Sequence, residues 1–204
     1  MYKLLIAIFF FSIAHSFAGF KSNISSSFGL VSVNLTESES TLEQTDEDIP
    51  EGEDQAVSSV SLSTVSLDLV YEKPQTEKYS YLFKAVVPVV TTEGAGVFMG
   101  GVGFNWYFNG LSAAYTVNIS GSEVSLDPGL RYYAGTMLGL GYLVYNTVSA
   151  KKSDVFFDLG LHGGLVYSFG KKWGIKAEAG VARGTGVATS NINVKTFAGL
   201  SYNL

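Results

Sequence analysis

Apolar residues at every second position through most of residues 57–204, an opposite face of glycine and isolated charges, and an apolar N-terminal stretch point to one fold class. They predict an all-β chain: a closed, antiparallel, up-and-down transmembrane β-barrel of about eight strands. At 204 residues the chain is long enough for one sizeable folded unit. Charged residues make up 15%, aromatic residues 14%, and 23 residues are glycine. That mixture is too apolar for disorder and too rich in glycine for a helical bundle. The sequence contains no cysteine. This excludes a disulfide scaffold, a zinc-thiolate site and a lipid anchor on a modified cysteine.

Residues 1–18 read as a signal peptide. Lys3 is the positive residue, Leu4 to Phe11 form an uninterrupted apolar run, and Ser16-Phe17-Ala18 puts small residues where a signal peptidase cuts. A transmembrane anchor needs ~20 apolar residues, more than this run provides. Residues 19–56 are expected to be a flexible acidic segment. From Glu37 to Asp54 there are nine acids and no base, whereas from Val57 onward nine acids face eleven bases. The net charge of −5 therefore belongs to the linker. Nucleic acid is not an expected partner, because phosphate binding needs a concentrated basic surface. The acidic run also lacks the spacing and glycine of a calcium loop, which favours a solvated spacer.

The strands follow in order. Leu67, Leu69 and Tyr71 share a face opposite Ser66 and Asp68. Tyr79, Tyr81, Phe83, Ala85, Val87 and Val89 form a second strand; Phe98, Val102, Phe104, Trp106 and Phe108 mark a third. Asn109-Gly110 then predicts a hairpin, since both residues tolerate positive φ. The expected fourth strand carries Leu111, Ala113, Tyr115, Val117 and Ile119. Asp127-Pro128-Gly129 reads as a turn, with Val124 and Leu126 leaving a short extra hairpin open. The fifth strand runs from Leu130 to Val144, the sixth from Val155 to Tyr167, the seventh from Trp173 to Val181 and the eighth from Ile192 to Leu204. Phe28–Leu35 is a further strand-like run, expected to lie outside the barrel, which is taken as residues 57–204.

Alternation alone fits a soluble sandwich as well as a membrane barrel, and the second face separates them. A sandwich would cover that face densely with long charged side chains. Here it carries Lys84, Asn105, Thr116, Asn118, Arg131, Asp158, His162, Lys176, Glu178 and Lys195 among many glycines. That suits the crowded interior of a narrow barrel whose apolar face meets lipid. If the strand ending at Tyr71 runs outward, Tyr71, Tyr79, Trp106, Phe108, Tyr142 and Phe157 gather at the outer rim. Tyr167, Trp173 and Tyr202 then gather at the inner rim, giving the two aromatic belts expected at membrane interfaces. The outer connections would be Glu72–Glu77, Asn109-Gly110, Asn146–Asp154 and Arg183–Asn191.

The chain ends Leu200-Ser201-Tyr202-Asn203-Leu204, with apolar residues at the last, third-last and fifth-last positions. On this ending and the strand pattern, residues 57–204 resemble the small bacterial outer-membrane barrels, the group of outer-membrane proteins A (its membrane domain), X and W. The family usually ends in Phe, where this chain has Leu. The resemblance implies outer-membrane localisation and contact with outer-membrane lipid. It also implies that the barrel-assembly machinery reads Leu200, Tyr202 and Leu204.

No catalytic, metal or cofactor residues are nominated, and no cofactor is expected. His162 sits mid-strand without an evident serine partner, no His-rich spacing offers a metal site, and Gly100–Gly103 precedes no helix that could cradle a phosphate. The candidate site is instead a lumen polar network of Asp68, Lys84, Arg131, Asp158, His162, Lys176, Glu178 and Lys195. Eight strands leave little more room than side chains fill, so these charges are expected to pair and plug the lumen. The expected role is structural or surface interaction, with an envelope or surface partner left open. A narrow channel or carrier for a small solute is the alternative. Expression in a Gram-negative host should yield a membrane-fraction protein whose intact mass begins at Gly19; a mass that retains Met1 would contradict cleavage.

Overall fold

The computed structural model describes residues 22–37, 59–91, 95–111, 115–119, 122–126, 129–146, 151–169, 172–187 and 189–204. Ten strands are described: β1 (Asn23–Glu37), β2 (Ser59–Pro74), β3 (Tyr79–Val90), β4 (Gly96–Tyr107), β5 (Tyr115–Ile119), β6 (Ser122–Leu126), β7 (Leu130–Asn146), β8 (Lys151–Phe169), β9 (Trp173–Gly186) and β10 (Thr189–Asn203). Eight close into an antiparallel barrel in the order β1-β10-β9-β8-β7-β4-β3-β2, while β5 and β6 form a separate two-stranded sheet. The segment expected to be a signal peptide and the acidic run beyond Glu37 lie outside the described residues.

The count of eight matches the sequence expectation, but two strands exchange places. Residues 23–37, expected outside the barrel, are its first strand and pair with both β2 and β10. Their alternation changes phase midway. Phe28 and Leu30 point outward, then Val31, Val33 and Leu35 point inward with Ser32, Asn34 and Thr36 outside. The run thus looks apolar on both faces. Conversely, the segment expected as the fourth strand contributes only five-residue β5, which pairs with β6. The Asn-Gly turn forms, with Gly110 at φ 79°, but the next described strand, β5, pairs with β6 and not with β4. The seventeen-residue β7 takes the place beside β4, from Gly96↔Val144 to Tyr107↔Tyr133. Asn109 secures this junction: its side chain donates to the Leu130 carbonyl at 2.7 Å and accepts from the Tyr132 amide at 3.2 Å. The inward placement expected for Thr116 and Asn118 falls on side chains outside the described residues.

Register fixes the shape. Following paired residues from Ile24 through Tyr71, Phe83, Val102, Leu138, Leu159, Arg183 and Ile192 returns to β1 at Asn34, ten residues further along. That stagger over eight strands corresponds to a tilt of about 40–45°, and each step round the wall in this direction rises about 3 Å along the barrel axis. Outside, the wall is apolar: Leu161, Leu140 and Phe28 are 63%, 62% and 58% exposed. These outward apolar positions form the band such a barrel presents to hydrocarbon.

The N- and C-terminal ends of the barrel lie together, with Asn23 opposite Asn203. Because β1 precedes it, β2 runs toward this end, so the two-belt assignment is corrected. Tyr71, Tyr79, Trp106 and Phe108 stand at the terminal end with Tyr167, Trp173 and Tyr202. Of the nine residues, Tyr142 and Phe157 alone are near the opposite rim. The connections divide likewise. Glu72–Glu77 and Asn109-Gly110 lie at the terminal end, and Asn146–Asp154 and Arg183–Asn191 at the other. Substituting Leu161, in the middle of the outward band, by Arg should destabilise the vesicle-inserted barrel by ~2–4 kcal/mol, read as a lower denaturant midpoint; an unchanged midpoint would show that this face meets water.

Candidate functional site: the barrel lumen

Inward side chains build the lumen in two zones. In the terminal half, β2, β3, β4, β7, β8 and β9 converge polar groups. Glu72 accepts hydrogen bonds on one oxygen from Ser80, from Asn105 Nδ2 at 3.0 Å and from the Tyr107 hydroxyl at 2.8 Å. Asn105 continues inward to His162 Nε2 at 2.6 Å. Glu178 holds the centre. One of its oxygens accepts from Lys84; the other takes the Tyr133 hydroxyl at 2.7 Å and faces Lys176 at 3.0 Å. Lys84 also stands 3.3 Å from the fully buried Asp68, with Phe197 beneath its ammonium at 4.9 Å. Lys176 lies 5.5 Å from the Tyr133 ring, so both lysines have an aromatic face as well as a carboxylate.

Further from the termini, Asp158 accepts from Lys195 at 2.7 Å and from Asn193 at 2.8 Å. Around and above it the lumen turns apolar: Val31, Val33, Leu35, Val86, Val97, Met99, Leu143, Tyr145, Phe156 and Phe197 form one buried cluster. Two glycines make the fit sterically feasible. A Cβ on Gly135 would lie 2.6 Å from Asn105 Oδ1 and 2.7 Å from His162 Nε2, and one on Gly141 would enter the Phe156 ring. A cavity of about 20 Å³, enough for a water molecule, remains against Lys84, His162, Glu178 and Lys195.

Of the eight residues expected in the network, Asp68, Lys84, Lys176 and Glu178 come together directly, and Asp158 with Lys195 forms a second pair. His162 joins through Asn105 and packs against Tyr133 at 6.2 Å between ring centroids. Arg131, partly exposed, faces inward near the terminal rim. Sequence reasoning overlooked Glu72, Ser80, Tyr107, Tyr133 and Asn193. The parity signal was available for all five, since each lies an even number of positions along its strand from a named inward residue. At the C-terminus, Leu200 is exposed, Tyr202 packs 4.8 Å from Trp173, and the Leu204 amide bonds to the Ser22 carbonyl at 2.9 Å. Among the described residues no group of three His, Asp or Glu is arranged to hold a metal ion.

This architecture recurs in solved structures. OprG, an outer membrane protein of Pseudomonas aeruginosa, superposes with a TM-score of 0.54 at 12% identity, covering 91% of this chain and 96% of its own. The fold is that of the small outer-membrane β-barrels. Neisserial surface protein A gives 0.53 at 10% identity over 88% of this chain and 97% of that one. The N-terminal barrel domain of Pseudomonas aeruginosa OprF gives 0.52 at 10% identity over 90% and 97%. No protein-family model matches the chain, and no curated protein matches its sequence.

Removing a carboxylate that two buried lysines share should cost far more than its removal from a surface. Glu178→Leu is expected to lower unfolding stability by about 3–5 kcal/mol, measured by guanidinium titration in lipid vesicles. A loss below about 1 kcal/mol would mean that Lys84 and Lys176 are hydrated in the lumen.

Proposed function

We propose that this chain is an exported protein of the bacterial outer membrane with a structural or surface-interaction role. Its lumen is plugged by the Glu178-centred network in one half and by the apolar cluster in the other. The observation that carries the reading is the inverted polarity of the wall: Lys84, Lys176 and Glu178 are buried inside while Leu140 and Leu161 are exposed outside. A water-soluble barrel would reverse that arrangement, whereas lipid demands it. The Lys3-to-Ala18 segment supports export through a cleaved signal peptide, and the terminal Leu200/Tyr202/Leu204 pattern supports delivery by the barrel-assembly machinery.

The reading is non-enzymatic. His162 spends its inward nitrogen on Asn105, and the carboxylates of the network are held by lysines and hydroxyls. Outer-membrane lipid is the constant partner; an envelope or surface partner would act through the ends of the barrel.

One observation favours the second reading, a narrow path for a small solute: the cavity between Lys84, His162, Glu178 and Lys195. Its volume suits a water molecule and falls well short of a pore. Reconstitution in planar bilayers tests the choice. The plugged barrel should give no stable open state, in wild type or in Arg131→Gln. A steady wild-type conductance that changes in Arg131→Gln or Glu178→Gln would overturn the plug in favour of the channel.

A further inference from the structure

The outward face is not uniform round the barrel. On β7 and β8 it stays apolar to Val144 and Val155, close to the rim opposite the termini. On β9, β10, β1 and β2 it turns polar lower down, on β10 only beyond Ile192, at Ser190. Beyond Val181, Leu30 and Val65 come Arg183 and Thr185, then Ser32, Asn34 and Thr36, then Ser63 and Ser61. Ser32 and Ser63 share a hydroxyl contact at 3.0 Å across the β1–β2 pairing. Among the outward strand positions whose side chains are described, charge occurs at Lys73, by the terminal rim, and at Arg183.

Arg183 is flanked by Leu159 on β8 and Ile192 on β10. Following the register round the wall, it comes level with Phe98, Phe157 and Tyr142, the aromatic residues near that rim. An interfacial aromatic marks the depth at which hydrocarbon gives way to headgroups. A guanidinium at this depth reaches the phosphate layer by extending its side chain, and its planar fork matches a phosphate bidentately. Thr185, two residues along the same face, and Ser190, its partner on β10, supply hydroxyls beside it.

We propose that this indentation, running from β9 across β10 to β1 and β2, docks the phosphate headgroup of an anionic membrane lipid, with Arg183 as its principal contact. The inference rests on the membrane-barrel reading, and the test separates the two. The full-length protein is refolded in micelles, and heat-modifiable gel migration first establishes that the barrel is closed. Native mass spectrometry then compares retention of phosphatidylglycerol and phosphatidylcholine by wild type, Arg183→Gln and Arg183→Lys.

Wild type should retain phosphatidylglycerol preferentially. Arg183→Gln should lose about fivefold of that preference, the effect expected of one cation near a headgroup, and Arg183→Lys should keep part of it. Millimolar inorganic phosphate should not displace the lipid. Equal retention by wild type and Arg183→Gln in closed barrels would overturn the site. So would an equal loss in Lys78→Gln at the opposite rim, or complete displacement by inorganic phosphate. A protein that stays in the aqueous phase without detergent would overturn the membrane reading, and the site with it.

Discussion

Closure between the first and last barrel strands is the constraint from which the rest of this structure follows. Hydrocarbon offers no partner to a free backbone N–H or C=O, so a sheet can cross lipid only when it has no edge. β1 and β10 meet that demand through an unbroken register from Asn23↔Asn203 to Glu37↔Thr189. The stagger of ten residues needed to join them sets the tilt, and the tilt sets the width of the lumen. The lumen in turn dictates which side chains fit: glycine where rings and amides cross, as at Gly135 and Gly141, and charged groups only where a counter-charge is in reach.

The wall changes its polarity along its length. Over the hydrocarbon depth it is apolar outside and carries the Glu178 network inside. Toward the rim opposite the termini, β1 and β2 show Ser32, Asn34, Ser61 and Ser63 outside while Val31, Val33 and Leu35 fill the interior. On these two strands the rim is organised as in a water-soluble β-barrel, with a hydrophobic core stabilised by burial. On β1 and β2 an apolar outward section and a polar outward section therefore follow one another within single strands.

This change of polarity also explains what the sequence could and could not disclose. Where a strand faces lipid for most of its length, as β8 does from Val155 to Tyr167, period-two alternation identifies both the strand and its inward residues; Asp158 and His162 were legible for that reason. Phe28–Leu35 was not, because its outward apolar residues give way to inward ones within one strand and the alternation cancels. The Asn-Gly pair misled for a different reason. It specifies a local turn, and pairing across the wall is decided by which later segment is long enough to span it, a non-local property that favoured Leu130–Asn146. The aromatic residues occupy outward-parity positions of their strands, but assigning them to rims required the direction of each strand, and one missing strand reversed it. The partners of Glu178 needed the register, which only the closed sheet supplies.

The seam also bears on how the chain is made. The side chains of Asn23 and Asn203 hydrogen-bond across 180 residues, so the first strand finds one of its two neighbours only after some 180 further residues have been made. Until then every intermediate is an open ribbon with two bare edges and an apolar face, a species prone to aggregate in water. Topologies dominated by such distant contacts fold slowly. For this barrel the interval between translation and closure is a period in which solubility must come from outside the chain.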